Sequence, residues 1–449
     1  MVSPSIVVKP PGPKSQAIFE KETKHMSSAC SAASRFLGVV FEEGKGVTLR
    51  DVDGNTFLDF ESGIVIMNTG HSHPRVTEAI KAQLDKLVNV YDYATPQRYE
   101  LLEKLSEITP QQALSVSHMF TTGAEAVEGA IKLAKAHTGK HEFIAFHQAF
   151  HGKTAGAVSL TCLPKMSRLG FGPMLPGIIH VPYAYCYRCA FKQEYPNCGL
   201  YCVEYMREAT ELQSTGSLAA VFAEPIQGAG GPVVPPVEFL QELKKFCEEK
   251  NALYIDDEIL AGFGRSGKIW AIEHSDVLPD VMTIGKGLAS GIPTSVVVAR
   301  KEIMQSETWA QPNVASSTFG GNPVAVAACL ASIDVLLKEK LCENAEKVGA
   351  YLLERLQEMK TRHRLIGDVR GRGLLIGVEL VKDQRTKEPA TEESRTFFKR
   401  SFEKGVLVGT AGPWSNIVRI APPLIVTKET VDVGLEILDK ALAEVEHEI

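Results

Sequence analysis

Residues 253–287 read LYIDDEILAGFGRSGKIWAIEHSDVLPDVMTIGKG and set the expectation for the whole chain. Two short apolar runs with β-branched residues, at 253–255 and 281–284, predict two β-strands. Asp257 follows the first run closely, and Lys286 follows the second. Ligands of open α/β sheets bind outside the carboxyl ends of the strands, so the two charges are expected to share one cleft. This pattern indicates an anchored cofactor and a reactive amine.

Helical and strand patterns alternate along the chain before this stretch. Apolar runs typical of strands lie at 115–120, 142–146 and 219–223, and helical periods lie at 97–108, 124–137 and 237–250. Strands that are separated by helices predict an α/β fold, with a mostly parallel sheet that helices cover on both faces.

The two ends of the chain have a different character. Residues 44–60 alternate apolar and polar side chains around an Asp-Gly turn, which predicts an antiparallel hairpin. The chain, with 449 residues, exceeds a single typical core. We therefore predict an N-terminal segment at 1–68 that joins a smaller α+β domain. A large cofactor-binding domain follows at 69–325, and the C-terminal part of the small domain at 326–449.

Composition and charge are those of an ordinary globular protein, with 44% hydrophobic and 23% charged residues. The net charge of −6 favours neither nucleic acid nor an anionic membrane as a partner. No apolar run approaches the roughly 20 residues that span a bilayer. The proline-rich N-terminus lacks the apolar core of a signal peptide. The predicted compartment is the cytoplasm.

Nine cysteines make an odd number, which argues against a fully paired secreted framework. Four of them cluster as Cys186, Cys189, Cys198 and Cys202. Paired cysteines can ligate zinc, but the gap between these pairs is short for a zinc site. The alternative is a surface excursion with free thiols or an adventitious disulfide. We predict no metal, with this cluster as the candidate if one binds.

The segment GFGRSGK at 262–268 resembles two nucleotide-binding motifs without satisfying either. Its G-x-G-x-x-G spacing follows a strand, but no periodic helix comes after it. It also approaches a phosphate-binding P-loop, yet Ile269 stands where Ser or Thr must reach magnesium. We interpret the segment as a tight connector beside the site.

A helix N-terminus completes the predicted site. Thr122, Gly123 and Ala124 lie between a strand and a helical pattern, where free N–H groups and the helix dipole favour an anion. From this segment alone a plain N-cap is equally consistent. Pyridoxal phosphate (PLP) fits the full set, with Lys286 for the aldehyde and Asp257 for the pyridinium nitrogen.

Motifs spread along the chain, in order, carry a family resemblance. They are DVDGNTFLDFESGI, GHSHPRV, TTGAEAVEGAIKLAK, FHGKT, AEPIQGAGG, DDEILAGFGRSGK, TIGKG, STFGGNP and NIVRIAPPL. The chain resembles class III PLP-dependent aminotransferases, the group of 4-aminobutyrate, ornithine and acetylornithine aminotransferases. This resemblance implies fold type I with a sheet of the seven-stranded type. It also implies a homodimer, or a dimer of dimers, with active sites at the interface.

The resemblance assigns roles to further residues. Phe150 and Ile259 pack on the two faces of the cofactor ring, and His151 belongs to the cofactor-binding set. Thr318 reaches the phosphate from the neighbouring subunit. Arg419 receives a substrate carboxylate, and Glu224 is placed with it as substrate-binding.

Two positions depart from the family pattern. Leu260 stands where many relatives have Gln, which removes a hydrogen-bond partner for the cofactor's ring hydroxyl. Ala229 stands where 4-aminobutyrate and ornithine enzymes have the glutamate that covers the arginine. We therefore expect Arg419 to remain permanently available.

The predicted activity is transfer of an amino group from an amino acid, ω-amino acid or amine to a 2-oxo acid. It follows a ping-pong mechanism in which Lys286 forms a Schiff base. The alternative on the same fold is an amino-acid racemase or epimerase. Two segments of this chain, GPMLPGIIHVPY and RLIGDVRGRGLLIGVELVKD, also resemble that group of enzymes. A binding protein without chemistry is disfavoured because the lysine, aspartate and threonine set is intact. Neither nucleic acid nor a membrane is an expected partner.

Overall fold

The computed structural model describes residues 2–163 and 168–448. These residues form fourteen α-helices and sixteen β-strands. In chain order, the helices are α1 (Pro13–Glu22), α2 (Ala32–Leu37), α3 (Ser62–Val65), α4 (Pro74–Leu84), α5 (Pro96–Ile108), α6 (Gly123–Thr138), α7 (Ala155–Leu160), α8 (Tyr201–Gln213), α9 (Val237–Glu249), α10 (Lys301–Met304), α11 (Pro323–Lys338), α12 (Leu341–Arg362), α13 (Thr391–Glu403) and α14 (Lys428–His447). The strands are β1 (Phe41–Lys45), β2 (Thr48–Asp51), β3 (Thr56–Asp59), β4 (Val116–Phe120), β5 (Glu142–Phe146), β6 (Ile178–Val181), β7 (Leu218–Ala223), β8 (Leu253–Asp257), β9 (Val281–Ile284), β10 (Ser295–Ala299), β11 (Ile366–Arg372), β12 (Leu375–Asp383), β13 (Glu388–Pro389), β14 (Val406–Leu407), β15 (Gly409–Ala411) and β16 (Ile417–Ile420).

The described residues divide into two compact units. The large unit is Pro74–Cys342, and the small unit joins the residues up to His73 with those from Glu343 onward. The boundaries predicted from the sequence lie after residues 68 and 325 instead. The second boundary differs because α11 is apolar and largely buried and packs on α4 and α5, so it belongs to the large unit.

A seven-stranded sheet forms the centre of the large unit, in the order β4-β10-β9-β8-β7-β5-β6. All neighbouring pairs are parallel except those of β10, which runs antiparallel to β4 and to β9. This confirms the predicted α/β fold with a mostly parallel sheet. Neither β6 nor β10 is among the predicted strands.

Burial on both faces explains the continuous apolar runs of the central strands. Every residue of β7, β8 and β9 is buried, as expected where helices cover a parallel sheet. Helix α6 covers this sheet with apolar residues that pack in one cluster with Phe143, Phe222 and Ile255. The strands whose ends carry Asp257 and Lys286 are thereby anchored in the buried core of the unit.

The small unit contains two further sheets. In the first, of order β1-β2-β3-β14, the predicted hairpin is β2–β3, and β14 from the C-terminal part pairs parallel with β3. The second is antiparallel and has the order β11-β12-β16-β15, with β13 beside β12. Over the ranges that the structure describes, no helix combines the length and apolar character needed to cross a membrane.

Candidate active site

A cavity of about 360 Å³ opens at the carboxyl ends of the parallel strands in the large unit. Its size is that of a small-molecule site. The residues that line it are Gly123, Ala124, Phe150, His151, Gly152, Lys153, Glu224, Ala229, Asp257, Ile259, Leu260 and Lys286.

Asp257 and Lys286 reach this cavity from adjacent strands. Asp257 is the last residue of β8, which pairs parallel with β9, and Lys286 begins the short turn that follows β9. The backbone of Lys286 is left-handed, with φ of 42°, which is uncommon for a residue other than glycine. Such strain is typical of functional positions. The expectation that this acid and this amine share one cleft is confirmed.

Asp257 is held by two hydrogen bonds. Its Oδ2 lies 2.7 Å from Nδ1 of His151, and its Oδ1 accepts from the backbone N–H of Ile259 at 3.1 Å. Burial lowers the pKa of His151, but the hydrogen bond and charge of Asp257, with the charge of Glu224, raise that pKa above its usual value overall. His151 is therefore the buried partner that fixes the position of the Asp257 side chain at the end of β8.

The residues before and after Asp257 in sequence are also acids. Asp256 and Glu258 are both buried. Burial raises the pKa of each carboxyl, and the charges of neighbouring acids add to the effect. The neutral forms of Asp256 and Glu258 are therefore favoured by their burial.

The N-terminus of α6 forms another wall of the cavity. The Thr122 side chain accepts from the Glu125 N–H, and Glu125 Oε2 accepts from the backbone N–H groups of Thr121 and Thr122. This capping box leaves the first turn at Gly123 and Ala124 facing the cavity. A Cβ on Gly123 would lie 3.0 Å from Cδ1 of Ile259, so glycine lets the helix end approach closely.

Glu224 connects two loops of the cavity wall. Its Oε1 accepts from the backbone N–H of Phe150, and its Oε2 accepts from that of Gly228, both at 2.9 Å. Burial raises the pKa of Glu224 to about 7, against the lowering effect of His151. Both carboxylate oxygens therefore hold main chain in place, including the segment that carries Phe150.

Leu260 makes part of the wall apolar. Its side chain covers Gly228 so closely that a Cβ there would lie 2.4 Å from Cδ1 of Leu260. Ala229 and Ile259 line the cavity beside it. Position 260 is thus filled by a packed hydrocarbon side chain, and position 229 carries no charge.

These residues fit PLP. The helix N-terminus suits a phosphate group, and the Asp257 side chain suits a ring nitrogen. Phe150 and Ile259 supply apolar surface for a ring, and the Lys286 amine suits an aldehyde.

Comparisons with known proteins agree with this fit. The sequence pattern of the family described as Aminotransferase class-III matches residues 29–442. This chain belongs to the class-III aminotransferase family. It is a PLP-dependent transaminase of fold type I, as its residues and its family resemblance predict.

Individual relatives match over nearly the whole of this aminotransferase. A leucine/methionine racemase from Thermococcus litoralis is 40% identical over 412 residues, which cover 91% of each chain. A 4-aminobutyrate aminotransferase from Mycobacterium bovis is 37% identical over 98% of each chain. The structure of a PLP-bound amine transaminase from an uncultivated Pseudomonas species has a TM-score of 0.87 at 31% identity, over 94% of this chain and 98% of that one.

Most of the predicted site residues of the aminotransferase lie together. The cavity brings together Gly123, Ala124, Phe150, His151, Glu224, Asp257, Ile259 and Lys286. Three others are elsewhere: Thr122 caps α6, Thr318 is exposed in the loop before α11, and Arg419 lies in β16 of the small unit.

Four lining residues are absent from the predicted set of site residues, namely Gly152, Lys153, Ala229 and Leu260. Gly152 and Lys153 directly follow Phe150 and His151 and line the same cavity. The backbone of Gly152 has φ of 140°, and a Cβ there would lie 2.9 Å from Cβ of Ala124. The sequence motif FHGKT contained both residues, but nothing in it showed that Lys153 faces inward.

Arg419 does not have the free guanidinium that the sequence predicts. Its Nη2 lies 3.2 Å from Oε1 of Glu61, and both side chains are largely buried. The expectation of a permanently available arginine is therefore wrong in this structure. Position 229 carries no acid, and Glu61, which is 358 residues away from Arg419 in sequence, is the acid that pairs with the arginine instead.

The four clustered cysteines line one small cavity in the large unit as free thiols. Burial, with smaller contributions from the neighbouring Cys186 and Cys198 thiols, raises the pKa of Cys202 to about 12. Across the described part of the chain, no group of three or more His, Cys, Asp or Glu side chains is arranged to hold a metal ion. The arrangement thus gives no support to a zinc site at Cys186, Cys189, Cys198 and Cys202.

Proposed function

We propose that Lys286 is the proton-transfer base of this transaminase and that Asp257 tunes its cofactor. When bound, PLP supplies an aldehyde that condenses with amines and a ring that withdraws electrons. The observation that carries the proposal is the convergence of Lys286, Asp257 and the α6 N-terminus on one cavity.

Each residue then has a defined task. Lys286 Nζ takes the proton from the substrate α-carbon and releases it again as the amino group is transferred. Asp257, positioned by its hydrogen bond to His151, would hold a proton on the ring nitrogen of the bound cofactor. The N–H groups of Gly123 and Ala124 bind the phosphate. Glu224 holds the Phe150 segment against the ring through its hydrogen bond to the main chain.

Substrates are an amino donor and a 2-oxo acid acceptor, as in the transaminase family. We propose that Arg419 binds the carboxylate that every 2-oxo acid carries. Guanidinium binds carboxylate through two parallel hydrogen bonds, and Nε of Arg419 is buried without a hydrogen-bond partner among the described residues. The Nε–H group of Arg419 is therefore available as a donor to a substrate carboxylate.

A panel of amino donors and 2-oxo acids, run with the holoenzyme and with Lys286→Ala, tests this function. Formation of a new amino acid from the 2-oxo acid is expected only with intact Lys286. Transfer that persists at the wild-type rate in the variant would exclude Lys286 as the base.

A second candidate is an amino-acid racemase or epimerase, which the 40% identity to the leucine/methionine racemase favours. Such an enzyme returns the proton to the opposite face of the α-carbon and needs no 2-oxo acid. Lys153 is a second amine on the cavity wall, so a proton donor besides Lys286 is present. Chiral chromatography of a single enantiomer incubated without 2-oxo acid separates the two candidates, because inversion under those conditions identifies a racemase.

We further propose that the enzyme is a homodimer in which Thr318 reaches the phosphate bound by its partner. Exposed aromatic side chains gather around the loop of Thr318, with Tyr93 73% exposed and Phe319 59% exposed. The two segments are joined by the hydrogen bond from Asn322 Nδ2 to the Val88 carbonyl. Aromatic residues exposed together are typical of an interface.

Light scattering of a Phe319→Asp variant tests the dimer. The variant is expected to become monomeric, whereas Leu212→Asp, at a position that is 85% exposed on α8, leaves the dimer intact. A dimeric Phe319→Asp protein with wild-type PLP affinity would refute this interface.

We place the enzyme in the cytoplasm, as its sequence predicts. The exposed thiols of Cys30 and Cys186 support this compartment, because free surface thiols persist where the environment is reducing.

A further inference from the structure

Arg419 occupies a place in its sheet that is cleared for a large side chain. In β16 it lies directly between Gly377 of β12 and Gly409 of β15. Directly opposed residues of antiparallel strands share one face, so neither neighbour fills the space beside the guanidinium. A Cβ on Gly409 would lie 3.1 Å from Arg419 Nη2 and 2.9 Å from Glu61 Oε1. The glycine at position 409 therefore makes room for the ion pair itself.

The ion pair uses only part of the guanidinium. Arg419 is 5% exposed, and its Nη2 meets Glu61 Oε1 at 3.2 Å, the long end of the hydrogen-bond range. Its Nε is buried and has no hydrogen-bond partner among the described residues. A buried arginine normally satisfies more of its donors. A carboxylate that binds through two hydrogen bonds would do so better than Glu61 does.

The surroundings of Glu61 disfavour its ionised form, which is the form that pairs with Arg419. Burial raises its pKa, and the nearby charge of Asp59 raises it further, whereas Arg419 lowers it. Asp59 Oδ2 lies 2.6 Å from Nε2 of His71, and its Oδ1 accepts from the backbone N–H of Glu61. Glu61, whose side chain is 18% exposed, is thus an acid that can take up a proton when its arginine partner leaves.

We propose that Glu61 is the counter-ion that Arg419 exchanges for a substrate carboxylate, so that this pair sets the preference between amino donors with and without a carboxylate beside the amine. With such a carboxylate bound, Arg419 leaves Glu61. With a simple amine bound, Glu61 keeps the arginine neutralised. The inference rests on the proposed role of Arg419, and it assigns Glu61 the covering function that Ala229 cannot perform.

Glu61→Gln in the holoenzyme tests the exchange. Without the competing charge, the KM for α-amino acid donors is expected to fall about tenfold. The KM for simple amines is expected to rise, because the buried guanidinium is left uncovered. The matched control is Glu43→Gln, which removes the acid of an exposed arginine pair, Arg50–Glu43, in the same unit. That control should leave both constants unchanged.

Two further variants separate the possible failures. If Arg419→Gln leaves the KM of carboxylate-bearing substrates unchanged, the proposed role of Arg419 fails together with the exchange. If Arg419→Gln raises this KM but Glu61→Gln behaves like Glu43→Gln, only the exchange fails. Glu61→Asp keeps the charge and shortens the side chain, so it serves if Glu61→Gln does not fold. It should shift the donor preference in the same direction by a smaller factor, and an unchanged preference would overturn the inference.

Discussion

Replacing Asp257 by Asn removes one charge at the end of β8 and changes almost no volume. The two oxygens of Asp257 have different partners, with His151 Nδ1 at 2.7 Å and the Ile259 N–H at 3.1 Å. An amide has only one oxygen, so the NH2 group must face one of the two. Because Asp257 and His151 are 3% and 2% exposed, water cannot compensate for the lost contact.

Replacing Asp257 also changes the pKa of His151. Burial alone lowers the pKa of His151, and the bond and charge of Asp257 are what raise it. In the Asn variant His151 should therefore be neutral, and no charge remains to hold a proton on the cofactor ring. Removing one preorganised electrostatic contact costs about 2.7–4 kcal/mol in the transition state. We expect kcat to fall by about 10²- to 10³-fold.

Single-turnover absorbance measurements with one amino donor, from pH 6 to pH 9, are the appropriate assay. The slow rate of Asp257→Asn should persist across this range, because the amide has no charge to restore. The control is Asp276→Asn, at an exposed position on the same stretch with left-handed backbone, which Asn tolerates. A rate for Asp257→Asn within tenfold of the wild type would refute the assignment of Asp257 to the ring nitrogen.

Three further outcomes are expected. Lys286→Ala should abolish the visible absorption of the holoenzyme, because the amine that condenses with PLP is gone; a retained band would place the reactive amine elsewhere. Gly123→Ala should lower PLP affinity about tenfold in a PLP titration, since its methyl group would lie 3.0 Å from Ile259 Cδ1 at the helix end; unchanged affinity would mean that this helix end does not hold the phosphate. His180→Gln should make stability less sensitive to acid. Burial lowers the pKa of His180 to about 4, so the folded state resists the proton that the unfolded chain binds below about pH 6.5. Wild-type stability should thus fall by about 1–2 kcal/mol more than that of the variant between pH 7 and pH 5, and equal losses in urea titrations would contradict this.

Local sequence patterns predicted the parts of the site that depend on strand ends. Asp257 and Lys286 were placed together correctly because β8 and β9 are apolar, continuous and parallel neighbours. Strand β10 was missed because it is inserted antiparallel between β4 and β9. Its run of three valines is followed only by the four-residue helix α10, so no long helical pattern marks it as part of a βαβ repeat.

Contacts between segments that are distant in sequence leave no local pattern from which they could be predicted. Glu61 and Arg419 meet because the C-terminal part of the small unit lies alongside β3 and the residues after it, through the β14–β3 pairing and the hydrogen bonds of Ala421 to Phe60 and Ser62. Nothing in the motif LDFESGI distinguishes Glu61 from a surface acid. Likewise, the packing of Leu260 against Gly228 depends on two loops that follow different strands.

The buried acids on either side of Asp257 affect how the whole molecule migrates in an electric field. The formal net charge of −6 counts every carboxyl as ionised. Burial raises the pKa of Glu258 to about 8 and that of Asp256 well above its usual value, so this formal count overstates the negative charge of the folded chain near neutral pH. Unfolding exposes both acids to water, where they ionise at neutral pH. The native protein should therefore focus at a higher isoelectric point than the same chain in urea.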